Sequence, residues 1–213
     1  MLLVRHGVTP TTGQVLPGRA PGLHLADAGR LQAESLAARL AAWAPPDGSN
    51  GAKRPRISAV YASPLERTRQ TAAAIASALG LRVKVDRGLL ECDFGDWTGA
   101  ELKNLSKLPE WATVQRYPSG FRFPGGESFR AMQTRIVSSL ATLASVHQGQ
   151  TLVAVSHADP IKAAVADALG SHLDLFQRIV ISPCSVTAIS YGTAGPSVLT
   201  VNSTAGLSEV VGP

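Results

Sequence analysis

The run Met1-Leu2-Leu3-Val4-Arg5-His6-Gly7 passes from four apolar residues straight to an arginine, a histidine and a glycine. The apolar part reads as a short buried strand, and the polar part as what stands at its end. Two later stretches repeat the arrangement. Ile57 to Tyr61 reads as a strand that runs into Ala62-Ser63-Pro64-Leu65-Glu66-Arg67. Thr151 to Val155 reads as a strand that runs into Ser156-His157-Ala158.

Helical patterns separate these strands. Asp27 to Trp43 carries Leu31, Leu36, Leu40 and Trp43 at helical spacing, with Asp27 suited to a helix N-terminus. Leu65 to Leu79 reads as a helix closed by Gly80, and Asp159 to Leu169 as one stopped by Gly170. Glu127 to Val146 is a long amphipathic helix with Phe129, Met132, Ile136, Leu140 and Leu143 near one face. Arg82 to Val85, Val186 to Tyr191 and Val198 to Val201 read as further strands. Strands alternating with helices predict an α/β layered fold. Residues 8–25 read as a loop, 45–51 as an exposed turn cluster, and 89–126 as an irregular excursion with short helices near Leu102 and Trp111. Such excursions often carry function. No repeat or linker interrupts the 213 residues, so a single domain spanning 1–213 is expected.

Composition narrows the partners. A net charge of +5 suits an anionic ligand, phosphate esters and nucleic acid alike. The cations are dispersed, and the densest run, Lys53-Arg54-Pro55-Arg56, reads as a solvated loop, so no nucleic-acid partner is expected. Two distant cysteines, Cys92 and Cys184, suggest neither a disulfide framework nor a CxxC metal pair. No apolar stretch reaches membrane-spanning length and no signal peptide is evident, which predicts a cytoplasmic protein without a membrane partner.

Ligands in open α/β sheets sit beyond the carboxyl ends of strands. His6 stands at such an end, and imidazole can act as a covalent nucleophile. Arg5 supplies a permanent forked charge for phosphoryl oxygens, and Gly7 would let the backbone approach an anion. Arg67 or Arg69 could reach the same place from the next strand's helix. His157 stands at another strand end, and the helix after it can turn backbone N–H groups, from Ala158 onward, toward an anion. Glu91, in Glu91-Cys92-Asp93-Phe94-Gly95-Asp96-Trp97-Thr98-Gly99, could protonate a leaving alcohol.

Taken with Pro124-Gly125-Gly126-Glu127-Ser128, these segments resemble the histidine phosphatase superfamily. The branch they resemble holds the cofactor-dependent phosphoglycerate mutases and small phosphatases. The resemblance runs from residue 1 to about 190. It implies a three-layer fold with a mixed, mostly parallel sheet flanked by helices, and with 89–126 capping the substrate. It assigns His6 as the phosphorylated nucleophile and Glu91 as the proton donor. Arg5, Arg67, His157 and Ala158 complete the phosphate pocket. Ala158 stands where many relatives carry Gly, and Thr12 where many carry Asn. Thr9, Thr12 and Arg19 are candidate substrate contacts.

No metal or cofactor is implied, because the two arginines and a histidine supply the positive charge. The residues after Glu91 look more like the phosphatases than like the mutases, which usually follow the Glu with Arg-His-Tyr-Gly. The expected function is therefore a phosphomonoesterase acting on a small phosphorylated metabolite. A phosphomutase is the alternative, and a non-catalytic anion- or RNA-binding module is more distant. A homo-oligomer is left open. His24, His147 and His172 fall outside the motifs, Cys92 reads as a buried thiol, and Trp97 as a packing residue.

Overall fold

The computed structural model describes residues 1–45 and 56–205. Residues 53–55 of the expected basic run and most of the turn cluster at 45–51 lie outside the described residues. Six strands form one sheet: β1 (Leu2–Arg5), β2 (Ile57–Ala62), β3 (Val83–Val85), β4 (Thr151–Ser156), β5 (Val186–Gly192) and β6 (Gly195–Ser203). Their order is β3-β2-β4-β1-β5-β6. The β3/β2, β2/β4 and β4/β1 pairs are parallel, whereas β1/β5 and β5/β6 are antiparallel.

Side-chain alternation along each strand builds the two outer layers. Leu2, Val4, Val153 and Val155 face one way, toward α1 (Asp27–Trp43) and α2 (Glu66–Ala78). Leu3 and Ala154 face the other way. There they meet the long α5 (Phe129–Val146), α6 (Ala158–Ala168) and the chain between β3 and α5. Because β1 and β4 are covered on both faces, their residues are apolar except at the strand ends, Arg5, Thr151 and Ser156. The five predicted apolar positions of α5 are all buried, and Ser128 caps the helix by accepting from the Ala131 N–H at 3.2 Å. Glu127 therefore lies before the helix rather than in it.

One expectation for α1 differs. Leu31 is 66% exposed, because the buried stripe of the helix runs through Gly29, Ala33, Leu36, Leu40 and Trp43 instead. Asp27 opens the helix as expected, its acid in the first turn, and Ala26 before it is the N-cap residue without a side-chain bond.

The excursion at 89–126 is more ordered than its composition suggests. It holds short helices α3 (Leu102–Leu105) and α4 (Pro109–Arg116). Trp97 packs on Trp111, Phe121 and Phe123, and Phe123 and Phe129 extend the cluster. Aromatics are only 5% of the chain, and this region concentrates them. No described helix is long and apolar enough to cross a membrane.

Candidate active site

The sheet brings together residues that are 151 positions apart in sequence. Arg5 of β1 pairs with Ser156 of β4, and Ala62 of β2 pairs with Val155. The next residue on each strand, His6, His157 and Ser63, is therefore delivered to the same edge. The His6 N–H donates to the Ser156 carbonyl and the Ser63 N–H to the Val155 carbonyl, each at 3.1 Å. The two imidazoles meet edge to face with ring centroids 5.2 Å apart.

His6 is buried, and its Nδ1 lies 2.7 Å from the Gly7 carbonyl oxygen. A carbonyl only accepts, so Nδ1 carries the proton and Nε2 keeps its lone pair. Burial, then the nearby Arg67 and Arg5 charges, hold its pKa down at about 3, against a weaker upward pull from the Gly7 bond. Near neutral pH this ring is uncharged, with its Nε2 lone pair available.

His157 is fully buried, with Nε2 2.9 Å from Ser63 Oγ. Thr68 Oγ1 donates to the carbonyl of Leu65 or Ser63 and lies 2.8 Å from Ser63 Oγ. The Ser63 proton then goes to Thr68, and His157 Nε2–H donates to Ser63. This leaves Nδ1 buried without a partner, 3.9 Å from Glu91 Oε2. Burial, then the nearby Arg67 charge, the neighbouring His6 ring and the Arg135 and Arg5 charges, hold the ring well below its ordinary pKa. An anion beside Nδ1 would reverse that balance and make it a charged donor.

Arg67 is 0% exposed. Its Nη2 donates to the Gly18 carbonyl at 2.7 Å, while Nε and Nη1 are buried without partners. Arg5 likewise donates from Nη1 to the Ile181 carbonyl at 2.6 Å and leaves Nε buried and unpartnered. Buried donors without acceptors are costly, and three of them stand on the two arginines near His6, with the unpaired His157 Nδ1 beside them. A tetrahedral anion would satisfy them together. Arg69, the other sequence candidate, is exposed on α2.

Glu91 closes the group. It is 8% exposed, and Oε1 accepts from the Cys92 N–H at 2.9 Å. Burial, followed by the Asp159 charge, raises its pKa from 4.5 to about 7, against the opposing Cys92 bond, Arg67 and Arg5. It is thus half protonated near neutrality, as a proton donor requires. Burial, with Glu91 alongside, pushes the Cys92 thiol far up, so it stays protonated.

Other expected contacts are placed differently. Thr9 and Thr12 bond to each other: the Thr9 N–H donates to Thr12 Oγ1 at 2.8 Å, and the two hydroxyls are 3.0 Å apart. They shape the loop after His6. Arg19 is taken up by protein groups, with Nε on the Glu91 carbonyl at 2.8 Å and Nη2 on Glu127 at 2.9 Å. Gly7 is required by packing rather than by an anion. A Cβ there would stand 2.5 Å from the Gly29 carbonyl oxygen, and the Gly7 N–H donates to Thr71 Oγ1. Ala158 is the first residue of α6, whose N-terminus opens directly after His157.

Sequence reasoning assigned no role to Ser63, although it follows β2 as the two histidines follow their strands. Asp159, which acts on Glu91, carried no motif. His24, His147 and His172 bond to Gln70, Tyr61 and Asp174 respectively, away from this edge. Among the described residues no group of three or more His, Cys, Asp or Glu is placed to hold a metal ion.

The profile of the histidine phosphatase superfamily, branch 1, matches residues 1–204. The chain belongs to this superfamily. A bifunctional protein of Mycobacterium tuberculosis is 33% identical over 96% of the chain, which spans only 54% of that protein. The chain thus covers about half the length of the mycobacterial relatives it matches. Phosphoserine phosphatase 1 of Hydrogenobacter thermophilus is 29% identical over 98% of the chain and 94% of its own length. Among solved structures, a phosphoserine phosphatase mutant of Entamoeba histolytica superposes with a TM-score of 0.81 at 22% identity, covering 99% of this chain and 98% of that one. That likeness is one of fold. It agrees with the α/β, mixed, mostly parallel sheet expected from the motifs.

Proposed function

We propose that the chain is a phosphomonoesterase that carries the phosphoryl group of a small phosphorylated metabolite on His6. One observation supports this above the rest. Three unpartnered buried donors on Arg5 and Arg67, and the unpaired Nδ1 of His157, surround a neutral imidazole whose Nε2 is free. The phosphatase name of the Hydrogenobacter relative supports the same reading.

In the first step His6 Nε2 attacks phosphorus and the bond from phosphorus to the ester oxygen breaks. The departing electron pair takes the Glu91 proton and leaves as an alcohol. Arg5, Arg67 and His157 hold the equatorial oxygens as charge builds on them. In the second step water attacks the phosphohistidine, its proton passes to the Glu91 carboxylate, and the His6–phosphorus bond breaks. Inorganic phosphate leaves, and His6 and protonated Glu91 are restored. Two guanidinium charges perform the neutralisation that a metal ion would otherwise supply, so we propose a metal-independent reaction. We assign the protein to the cytoplasm; its two free, buried cysteines fit a reducing compartment.

Release of phosphate from p-nitrophenyl phosphate, with and without chelator, tests the reading. Turnover that survives the chelator and vanishes in His6→Ala supports it; an inactive wild type, or an active His6→Ala, overturns it. Feeding 3-phosphoglycerate with its bisphosphate separates hydrolysis from transfer. Rapid conversion to 2-phosphoglycerate with little free phosphate would make the chain a mutase instead.

A further inference from the structure

Arg19, Glu127 and Arg135 form a bonded group beside the candidate site, and its bonds to the backbone converge on one segment. Arg135 of α5 donates from Nη1 to the carbonyl oxygens of Gly88 and Leu90, both at 2.8 Å, and from Nη2 to that of Glu91 at 3.2 Å. Arg19 reaches the same Glu91 carbonyl from the opposite end of the sequence, through Nε at 2.8 Å. Glu127 holds both cations. Its Oε1 accepts from Arg135 Nε at 3.0 Å, and its Oε2 accepts from Arg135 Nη2 and Arg19 Nη2, each at 2.9 Å. Oε2 also accepts the Asp93 N–H at 3.3 Å.

The geometry does more than fasten a loop. Glu91 has its carbonyl fixed by two guanidinium groups and its Oε1 fixed by the Cys92 N–H. Both ends of the residue are restrained, so its free Oε2 has one place to go, and that place is beside His157 Nδ1. Arg19 also follows Gly18, whose carbonyl accepts from Arg67 at 2.7 Å. Two consecutive residues of one loop therefore join the phosphate-binding arginine to the peptide of the proton donor. Isolated ion pairs at the surface contribute little, but these three side chains are mostly buried, at 29%, 14% and 22% exposure for Arg19, Glu127 and Arg135.

We infer that Arg19, Glu127 and Arg135 are positioning residues that set the Glu91 carboxyl over the leaving oxygen, with Glu127 as the common anchor. The inference rests on the phosphatase reading above. A displaced proton donor harms a reaction in proportion to how badly the leaving group needs a proton. An alkyl phosphate needs one; p-nitrophenyl phosphate departs as a stable phenolate.

The experiment compares kcat/KM, which reports the phosphorylation step, for glycerol 2-phosphate and p-nitrophenyl phosphate. The proteins are wild type, Glu127→Gln, Arg19→Lys, Glu91→Gln and the Glu91→Gln/Glu127→Gln double variant. General acids contribute roughly 10²–10⁴-fold, and a misplacement of about 1 Å can cost about 10²-fold. Glu127→Gln should therefore lose about 10- to 100-fold on the alkyl ester and under about threefold on the aryl ester. Inhibition by inorganic phosphate should stay within about twofold, because the phosphate donors are untouched. The double variant should be no slower than Glu91→Gln. Arg19→Lys, which keeps the charge and the fold but cannot make the paired bonds, should show the same selectivity in milder form.

Equal losses on both esters, weakened phosphate inhibition, or additive losses in the double variant would reduce the group to a structural role and overturn the inference. A wild type inactive on both esters would instead sink the phosphatase reading.

Discussion

Replacing Glu91 by glutamine should slow turnover of an alkyl phosphate and stabilise the fold, and the stabilisation should depend on pH. The folded chain raises the Glu91 pKa from 4.5 to about 7, chiefly because the carboxyl is buried. Between those two values the folded state keeps a proton that the unfolded state has released. Folding stability from this group is therefore fully present below pH 4.5 and is lost as pH climbs through 7. Glutamine does not titrate and can still accept from the Cys92 N–H through its amide oxygen. The shift converts to on the order of 2–3 kcal/mol between pH 5 and pH 8. In a chain of this size that corresponds to a Tm difference of roughly 5–10 °C.

The assay is urea or thermal unfolding of the wild type and Glu91→Gln at pH 5 and pH 8 in phosphate-free buffer. The variant should gain on the wild type at pH 8 by about that amount relative to pH 5. Equal differences at the two pH values, or a variant that loses ground as pH rises, would refute the claim that a buried carboxyl is kept as an acid here. Such a result would remove the electrostatic basis for its role.

Three further outcomes follow from the same geometry. Wild-type kcat/KM on an alkyl phosphate should fall about tenfold per unit above pH 7 as Glu91 ionises, and Glu91→Gln should lack that limb; a wild-type profile flat to pH 9 contradicts it. Arg67→Met removes a fully buried cation with two unpartnered donors, so the variant should be at least as stable as wild type without anion. It should bind inorganic phosphate on the order of 10²-fold more weakly, measured by calorimetry. Gly7→Ala drives a Cβ against the Gly29 carbonyl and should lower stability by about 1–3 kcal/mol on thermal unfolding, with no rescue by phosphate.

The layered fold was readable because its signals are local. The apolar runs at β1 and β4 and the five-residue stripe of α5 need only neighbouring residues to be recognised. Leu31 misled because it is apolar at a plausible helical spacing yet faces outward; only the sheet's position decides which stripe of α1 is covered. The site residues were visible for a related reason. His6, His157 and Arg67 each stand at or just beyond a strand end, and parallel pairing brings those ends together.

Long-range hydrogen bonding was not readable. Arg19 has the composition of an anion contact, but its acceptors are Glu91, Asp93 and Glu127, 72, 74 and 108 residues away. Gly7 looked like room for an anion, whereas the space is filled by the backbone of Gly29. Ser63 gained its role only when β2 and β4 set it against His157.

The central claim is that His6 Nε2 takes the phosphoryl group. Rapid acid-free quenching during turnover of p-nitrophenyl phosphate, followed by peptide mass spectrometry under alkaline conditions, tests it directly. A single phosphohistidine is expected on the peptide containing Arg5-His6-Gly7, enriched in Glu91→Gln if loss of its base slows hydrolysis of the intermediate. A phosphoryl group on another residue, or full turnover with no phosphorylated His6, would contradict it.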